Sequence, residues 1–399
     1  MLTIACLRRV TSVLRALLAA AVIVALAGAA CTAAARGERG SPRPTPHAKP
    51  RRSPHPRATR APTAAVASPS PRATAAAAGG ERLEGFGSST RGGEDGREVW
   101  VTAATTDALR AALLDVNKTG YAILRFDVHE PIMVHRPLPY VTAPYVTIDG
   151  HGATIDGSEL RNEVALIDVR AHDVIVRDLR LRNGYDNLRA QSEDAHDVVF
   201  SHISSTGSMD DGLSVAGGAH DVTAQYLFLA GNTRSVFCKD GGTNLSLHHT
   251  WIQKGWIRSP LVSGPTAHAD LRNVVVEDWG EWGSRFENGA TGNVVDSLFV
   301  LSEYANAHGG KPDALRAISG AAVYTSGNAF RGAAHPPEFT SAPRPFPAPP
   351  VATDPVERMA DRVRARAGCL PRDAVDLRYV GRTTDWRVGV ETPLRLDAD

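Results

Sequence analysis

Three aspartates offer the most chemistry in this chain. Asp186 stands in Gly184-Tyr185-Asp186-Asn187, and Asp210 and Asp211 follow in Met209-Asp210-Asp211-Gly212, 24 and 25 residues later. Carboxylates at that spacing share a surface only if the chain repeats at the same length, and it does. Ala171-His172-Asp173-Val174 returns as Ala195-His196-Asp197-Val198 and again as Ala219-His220-Asp221-Val222, each copy 24 residues after the last. A fixed period of roughly 20 to 30 residues marks a solenoid of stacked supersecondary units. The three acids then stack on one face. Hard oxygen ligands on one side suit a divalent cation. Paired acids can also protonate and attack a glycosidic bond, and Asp-Gly is a common polar turn.

The elements that must carry these residues are strands. Val174-Ile-Val-Arg-Asp-Leu-Arg-Leu, Val198-Val-Phe-Ser-His-Ile and Val222-Thr-Ala-Gln-Tyr-Leu-Phe-Leu follow the three copies. Their period-two alternation, rich in Val and Ile, is strand chemistry with the apolar members inward. No helical pattern separates the copies, so the repeat reads as strand, turn, strand, turn. The fold class is all-β, a parallel β-helix of roughly eight to ten coils. Val99-Trp-Val-Thr reads as a strand, and Thr106 to Val116 as an amphipathic helix capped by Thr105 or Thr106. Leu109, Leu113 and Val116 fall on one side of this helix. It covers the open end of the solenoid, which otherwise exposes unpaired strand edges. Ile123-Leu-Arg-Phe-Asp-Val and Ile132-Met-Val form the first coil, and Val146-Thr-Ile-Asp-Gly begins the regular stack. His172, His196 and His220 fall in register just before Asp-Val at a turn. Polar groups there bond locally, so a structural ladder is expected rather than a metal ladder.

The 399 residues carry a net charge of +1, which gives no global argument for nucleic acid. Residues 1–31 read as a secretion signal, with Arg8, Arg9 and Arg15 ahead of the apolar run Ala16 to Ala27. Cys31 follows Gly28-Ala29-Ala30, which leaves lipid anchoring through Cys31 and plain secretion as alternatives. Residues 32–80 hold Ala, Pro, Ser, Thr and Arg with scarcely a large apolar side chain, the composition of a disordered linker. Residues 81–345 are the β-helix. Residues 346–399 form a C-terminal extension packing on it, with a helix over Pro355 to Ala367. Cys238 and Cys369 either pair in an oxidising compartment or stay as two buried thiols.

Several stretches, in order, resemble pectate lyases of the right-handed parallel β-helix type. They are Glu84-Gly-Phe-Gly, Val146-Thr-Ile-Asp-Gly-His-Gly-Ala, Asp173-Val-Ile-Val-Arg-Asp-Leu, Asn244-Leu-Ser-Leu-His-His, Arg258-Ser-Pro, Asn273-Val-Val-Val-Glu-Asp-Trp-Gly and Ala367-Gly-Cys-Leu-Pro-Arg-Asp. The resemblance spans about Glu84 to Tyr379. It implies a secreted or surface-tethered monomeric polysaccharide lyase, cleaving an acidic, polygalacturonate-like glycan by calcium-assisted β-elimination. Calcium bound to a substrate carboxylate makes the proton α to it more acidic. In the family an arginine before Pro is the base, and the matching residue is Arg258. Asp186, Asp210 and Asp211 match the Ca²⁺ ligands, and Arg234, Lys239 and His249 the substrate-binding positions. Three positions depart from the family. Ser214 stands where a further acid is expected, Arg234 where a lysine is, and Ser263 where a second arginine is. His202 and His248 are expected to be structural.

Two other classes compete. One is a β-helix glycoside hydrolase using the aspartates as paired acids. The other is a glycan-binding β-helix without activity, favoured by Ser214 and Ser263. No Gly-rich phosphate loop or Rossmann spacing points to a nucleotide or flavin.

Overall fold

The structure is a computed structural model that describes residues 82–380. The expected signal segment, the linker and Cys31 lie outside the described residues. The chain from Arg97 onward winds into a right-handed solenoid of parallel strands. Three sheets form its walls, with ten, nine and seven strands. One coil gives Val174–Arg177 to the first wall, Arg180–Arg182 to the second and Asp186–Gln191 to the third. The next gives His196–Ser201, Ser204–Thr206 and Asp211–Ala216 in the same order. Each coil therefore has three strands, where the alternation alone suggested two. The second-wall strands are two to four residues long and carry polar letters such as Ser204-Ser205-Thr206, too short to show a period.

Registration across coils follows the sequence repeat. Val174, Val198 and Val222 pair in one file, and all three are buried in a single core that runs the length of the stack. Leu188 and Leu213 form a second file, paired in the third wall. Burying a Val or Leu side chain contributes about 1.5–3 kcal/mol, so each added coil extends the core by several such terms.

The repeated Asp173, Asp197 and Asp221 take φ of 53°, 51° and 52°. This left-handed turn conformation is one that Asp and Asn tolerate better than other non-glycine residues. Each preceding histidine turns its Nδ1 to the next Asp carboxylate, at 2.9, 2.8 and 2.8 Å. The rings of His172, His196 and His220 stack at 5.1 and 5.0 Å with 12° and 7° between planes. Parallel rings aim their free nitrogens side by side, so they do not converge on one ion. The ladder is structural, bonded to carboxylates rather than to backbone. His202, Tyr226 and His249 make a parallel stack at the next corner, at 4.9 Å between successive rings.

The helix Thr106–Val116 forms where its pattern places it, with Thr105 accepting the Ala108 N–H. Leu109, Leu113 and Val116 bury against Val101, Leu124 and Ile132 and close the N-terminal end of the core. The Gly-Phe-Gly segment crosses the outside of the ten-stranded wall. A Cβ at Gly87 would run into the Val198 carbonyl oxygen, and one at Gly85 into the Ser246 side chain. Both glycines are there for close approach.

Against the outside of the nine-stranded wall, the helix Val356–Arg366 buries Val356, Met359 and Val363 on Phe228, Trp251, Val275 and Leu298. A short helix, Ala374–Tyr379, follows. It is tied down by Arg182, whose Nη2 lies 2.7 Å from Asp376 and 3.2 Å from Asp373. Cys238 and Cys369 are both free and buried. Pairing does not occur, and burial pushes each thiol up to about 12.

Candidate active site

The three aspartates meet where the chain turns from the second wall into the third. Asp186 opens the strand Asp186–Gln191 and Asp211 opens Asp211–Ala216 one coil on. Leu188 pairs with Leu213, which sets Asp186 beside Asp211. Asp210 precedes the strand, and its backbone N–H reaches the Tyr185 carbonyl at 2.7 Å. One oxygen from each of the three carboxylates lies within 4.8 Å of the others. The spacing of 24 and 25 residues thus does bring them onto one face.

Arginines of the following coils close over this cluster. Arg234 pairs in register with Asp211 and bonds Asp210 through its Nη1. Arg258, one coil further, places Nη1 3.1 Å from both oxygens of Asp211 and 3.7 Å from Asp210. Its guanidinium also sits 4.5 Å from the centre of the Phe237 ring. On the other side, Arg189 Nη1 lies 3.3 Å from Asp186. Arg189 Nη2 reaches Asp168 at 2.8 Å, and Asp168 also holds Arg170 at 3.0 Å. Alternating charges therefore run across five coils of one wall.

Lys239 follows the same strand as Arg234, with its Nζ 5.9 Å from the Phe237 ring and 3.9 Å from Asp240. It shares the Phe237 ring with Arg258, and its ion pair is with Asp240. His249 is not brought to this face. It sits at the corner between the first and second walls, stacked on Tyr226, with its Nδ1 2.9 Å from that of His248. His202 is stacked there too and bonded to Ser201 at 2.9 Å. The family pattern matched the letters at 248–249, but that pattern does not say which wall they face.

Ser214 lies between Arg189 and Phe237 in the outer row of the wall, almost fully buried. Ser263 donates to Glu287 at 3.2 Å and accepts from Asn288 at 3.0 Å. Glu287 in turn holds Arg285 at 2.6 Å. The cation missing at Ser263 is thus present one coil later, already paired. Sequence reasoning missed Arg189, Asp168 and Phe237. The 25-residue step from Arg189 to Ser214 was a usable signal for the first, since Ser214 was already singled out.

Burial pushes the Asp211 carboxyl up to about 7, and Asp210 and Asp186 push the same way against the pull of Arg258. Burial also pushes Asp186 up to about 6, opposed by the Asp211 N–H that it accepts at 3.0 Å and by Arg189. Burial, then Asp210, raises the nearby Tyr185 phenol. A carboxyl raised on folding binds more protons in the folded state than in the unfolded one, between its usual value near 4 and its raised value. Stability from this source is therefore lost as pH climbs from about 4 to about 7. Asp211→Asn should flatten that slope. Urea unfolding at pH 5 and pH 8 in a chelator checks this, and an unchanged slope would place the buried proton elsewhere.

The donor set fits a hard divalent cation. Two oxygens on one calcium, at about 2.3–2.6 Å each, stand at most about 5 Å apart. The carboxylate oxygens already meet that limit, and burial, the first cause of the raised Asp186 and Asp211, disfavours carboxylates that a bound cation would stabilise.

No family model and no curated protein matches the chain. Solved structures do. The major allergen of cedar pollen superposes with a TM-score of 0.59 at 16% identity, over 72% of this chain and 92% of that one. A polygalacturonate lyase fused to a self-assembling amphipathic peptide gives 0.59 at 14% identity, over 73% and 99%. A pectate lyase from Bacillus sp. N165, in complex with trigalacturonate, gives 0.53 at 15%, over 72% and 98%. The chain thus shares its parallel β-helix with pectate lyases.

Proposed function

We propose that this protein is a polysaccharide lyase that cleaves a pectate-like, uronate-bearing glycan by β-elimination. The observation that carries this is the meeting of Asp186, Asp210 and Asp211 with Arg234 and Arg258 on the outer wall of the solenoid. An open wall suits a polymer lying across it, which a closed pocket would exclude. Asp186, Asp210 and Asp211 would hold calcium. Bound there, calcium would supply the positive charge that makes the proton α to the substrate carboxylate more acidic.

Arg234 offers a planar fork to a uronate carboxylate in place of a lysine's point charge. Arg258 takes the α proton, the electron pair of that C–H bond becomes the new double bond to C4, and the glycosidic oxygen leaves C4 with the C4–O pair and takes a proton from water. An arginine gives up its own proton only where positive charge crowds it. In this structure Arg258 faces Asp211 and Asp210 instead, and Arg234 shares Asp210 with it, so the base role requires calcium to draw these carboxylates off the guanidinium. Phe237 under the guanidinium limits its access to water. Export through residues 1–31, with or without a lipid on Cys31, would deliver the enzyme to extracellular polymer.

Hydrolysis is less well matched. A glycosidase pair needs one carboxyl free to protonate the leaving oxygen and one free to attack or activate water, whereas Asp186, Asp210 and Asp211 are each paired with an arginine. Polygalacturonate should yield the unsaturated, ultraviolet-absorbing product with added calcium and lose it in a chelator. Reducing ends without that absorbance would establish hydrolysis instead. No product from several acidic glycans would leave a binding role.

A further inference from the structure

The solenoid has a concavity at the corner between the first and second walls, lined by none of the three aspartates. It is a cavity of about 490 Å³, within the range of about 300–1,000 Å³ typical of small-molecule sites. Both ends of the described chain close it. Arg82 and Glu84 come from the N-terminal crossing segment, and Arg362 and Arg366 from the C-terminal helix. Tyr226 and His249 form its floor.

Unevenly distributed charges ring a lining that is otherwise more apolar than polar. Three guanidinium groups and two carboxylates, Glu84 and Asp354, line it, and the Arg366 guanidinium lies over the Tyr226 ring at 5.2 Å. Each carboxylate has a task in the wall: Glu84 accepts the Ala352 N–H at 2.9 Å, and Asp354 accepts from Arg362 at 2.7 and 2.8 Å. The floor brings no charge. Burial pushes Tyr226 up to about 12, so the phenol stays protonated, and burial lowers His249, which stays neutral at neutral pH. One net positive charge, hydroxyl and imidazole groups and a volume of one or two sugar rings define a chemical class.

We propose that this cavity binds the oxyanion of a small polyol, a uronate sugar or a sugar phosphate. The site stands independently of lyase activity, since it shares no residue with the aspartate cluster. Calorimetry on the full chain in a chelator should show one site for galacturonate or for glucose 1-phosphate, at least tenfold tighter than for neutral galactose. Galacturonate alone would identify a uronate site, and the phosphate ester alone a phosphate site, with inorganic phosphate showing whether the polyol is needed. Arg366→Ala should weaken binding at least tenfold. Ala352→Trp should do the same by filling the mouth while leaving every charge in place, so the test survives if the arginine variant fails to fold. Asp211→Asn should leave binding unchanged. The proposal is overturned by no binding, by equal binding of galactose, or by loss in Asp211→Asn with none in the two cavity variants.

Discussion

Arg258→Ala should cut the rate of unsaturated-product formation from polygalacturonate by about 10²–10⁴-fold, the usual contribution of a positioned acid or base. The loss should fall on kcat more than on KM, because Arg234 still offers its fork to the substrate carboxylate. Arg258 is held from two sides, by both oxygens of Asp211 and by the Phe237 ring. Its position is therefore fixed before substrate arrives. Arg258→Lys tests whether position or charge matters, since an ammonium keeps the charge without the fork. An alanine variant within a few-fold of the parent would remove Arg258 from the chemistry. The proton would then have to go to Asp211 or Tyr185.

Asp376→Ala should cost about 3–5 kcal/mol of stability, the usual consequence of breaking a buried ion pair from one side. Asp376 is wholly inaccessible and Arg182 nearly so. The carboxylate also accepts from Ser204 at 2.7 Å. Its removal leaves the Arg182 guanidinium in a dry site with Asp373, a partner at 3.2 Å that is one-third exposed. Urea unfolding followed by circular dichroism measures the loss. A change below about 1 kcal/mol would mean that Asp373 alone satisfies the arginine. The lesion also sits under the helix Ala374–Tyr379, so proteolysis of the C-terminal segment should accelerate in parallel.

The fold was legible because the interior repeats. Val174, Val198 and Val222 show the same alternation in sequence and in the wall, and the capping helix announced itself through Thr105 and the Leu109, Leu113, Val116 stripe. The third wall was not legible as strand. Asp186-Asn-Leu-Arg-Ala-Gln has only Leu188 and Ala190 turned inward, and its outer positions carry the chemistry. Strand propensity and site function compete for the same letters there, and the site dominates. The aspartates were findable because spacing alone stacks them. His249 was not, because a match of letters does not say which of three walls a corner residue faces. Arg189 and Asp168 escaped notice because ion pairs across coils are partners in space, separated by 21 residues of chain.

The charges of the aspartate cluster reach the world in a fixed order. Asp186, Asp210 and Asp211 lie on earlier coils than Arg234 and Arg258, and 47 residues separate Asp211 from Arg258. At about 5–20 residues per second, a ribosome delivers the acids roughly 2–10 s before the last of their counter-ions. A nascent chain halted in that interval holds a concentrated negative step edge, open to protons or metal ions from solution. Electrical neutrality is in this sense a finishing operation, completed only when the fifth turn of the wall has been wound.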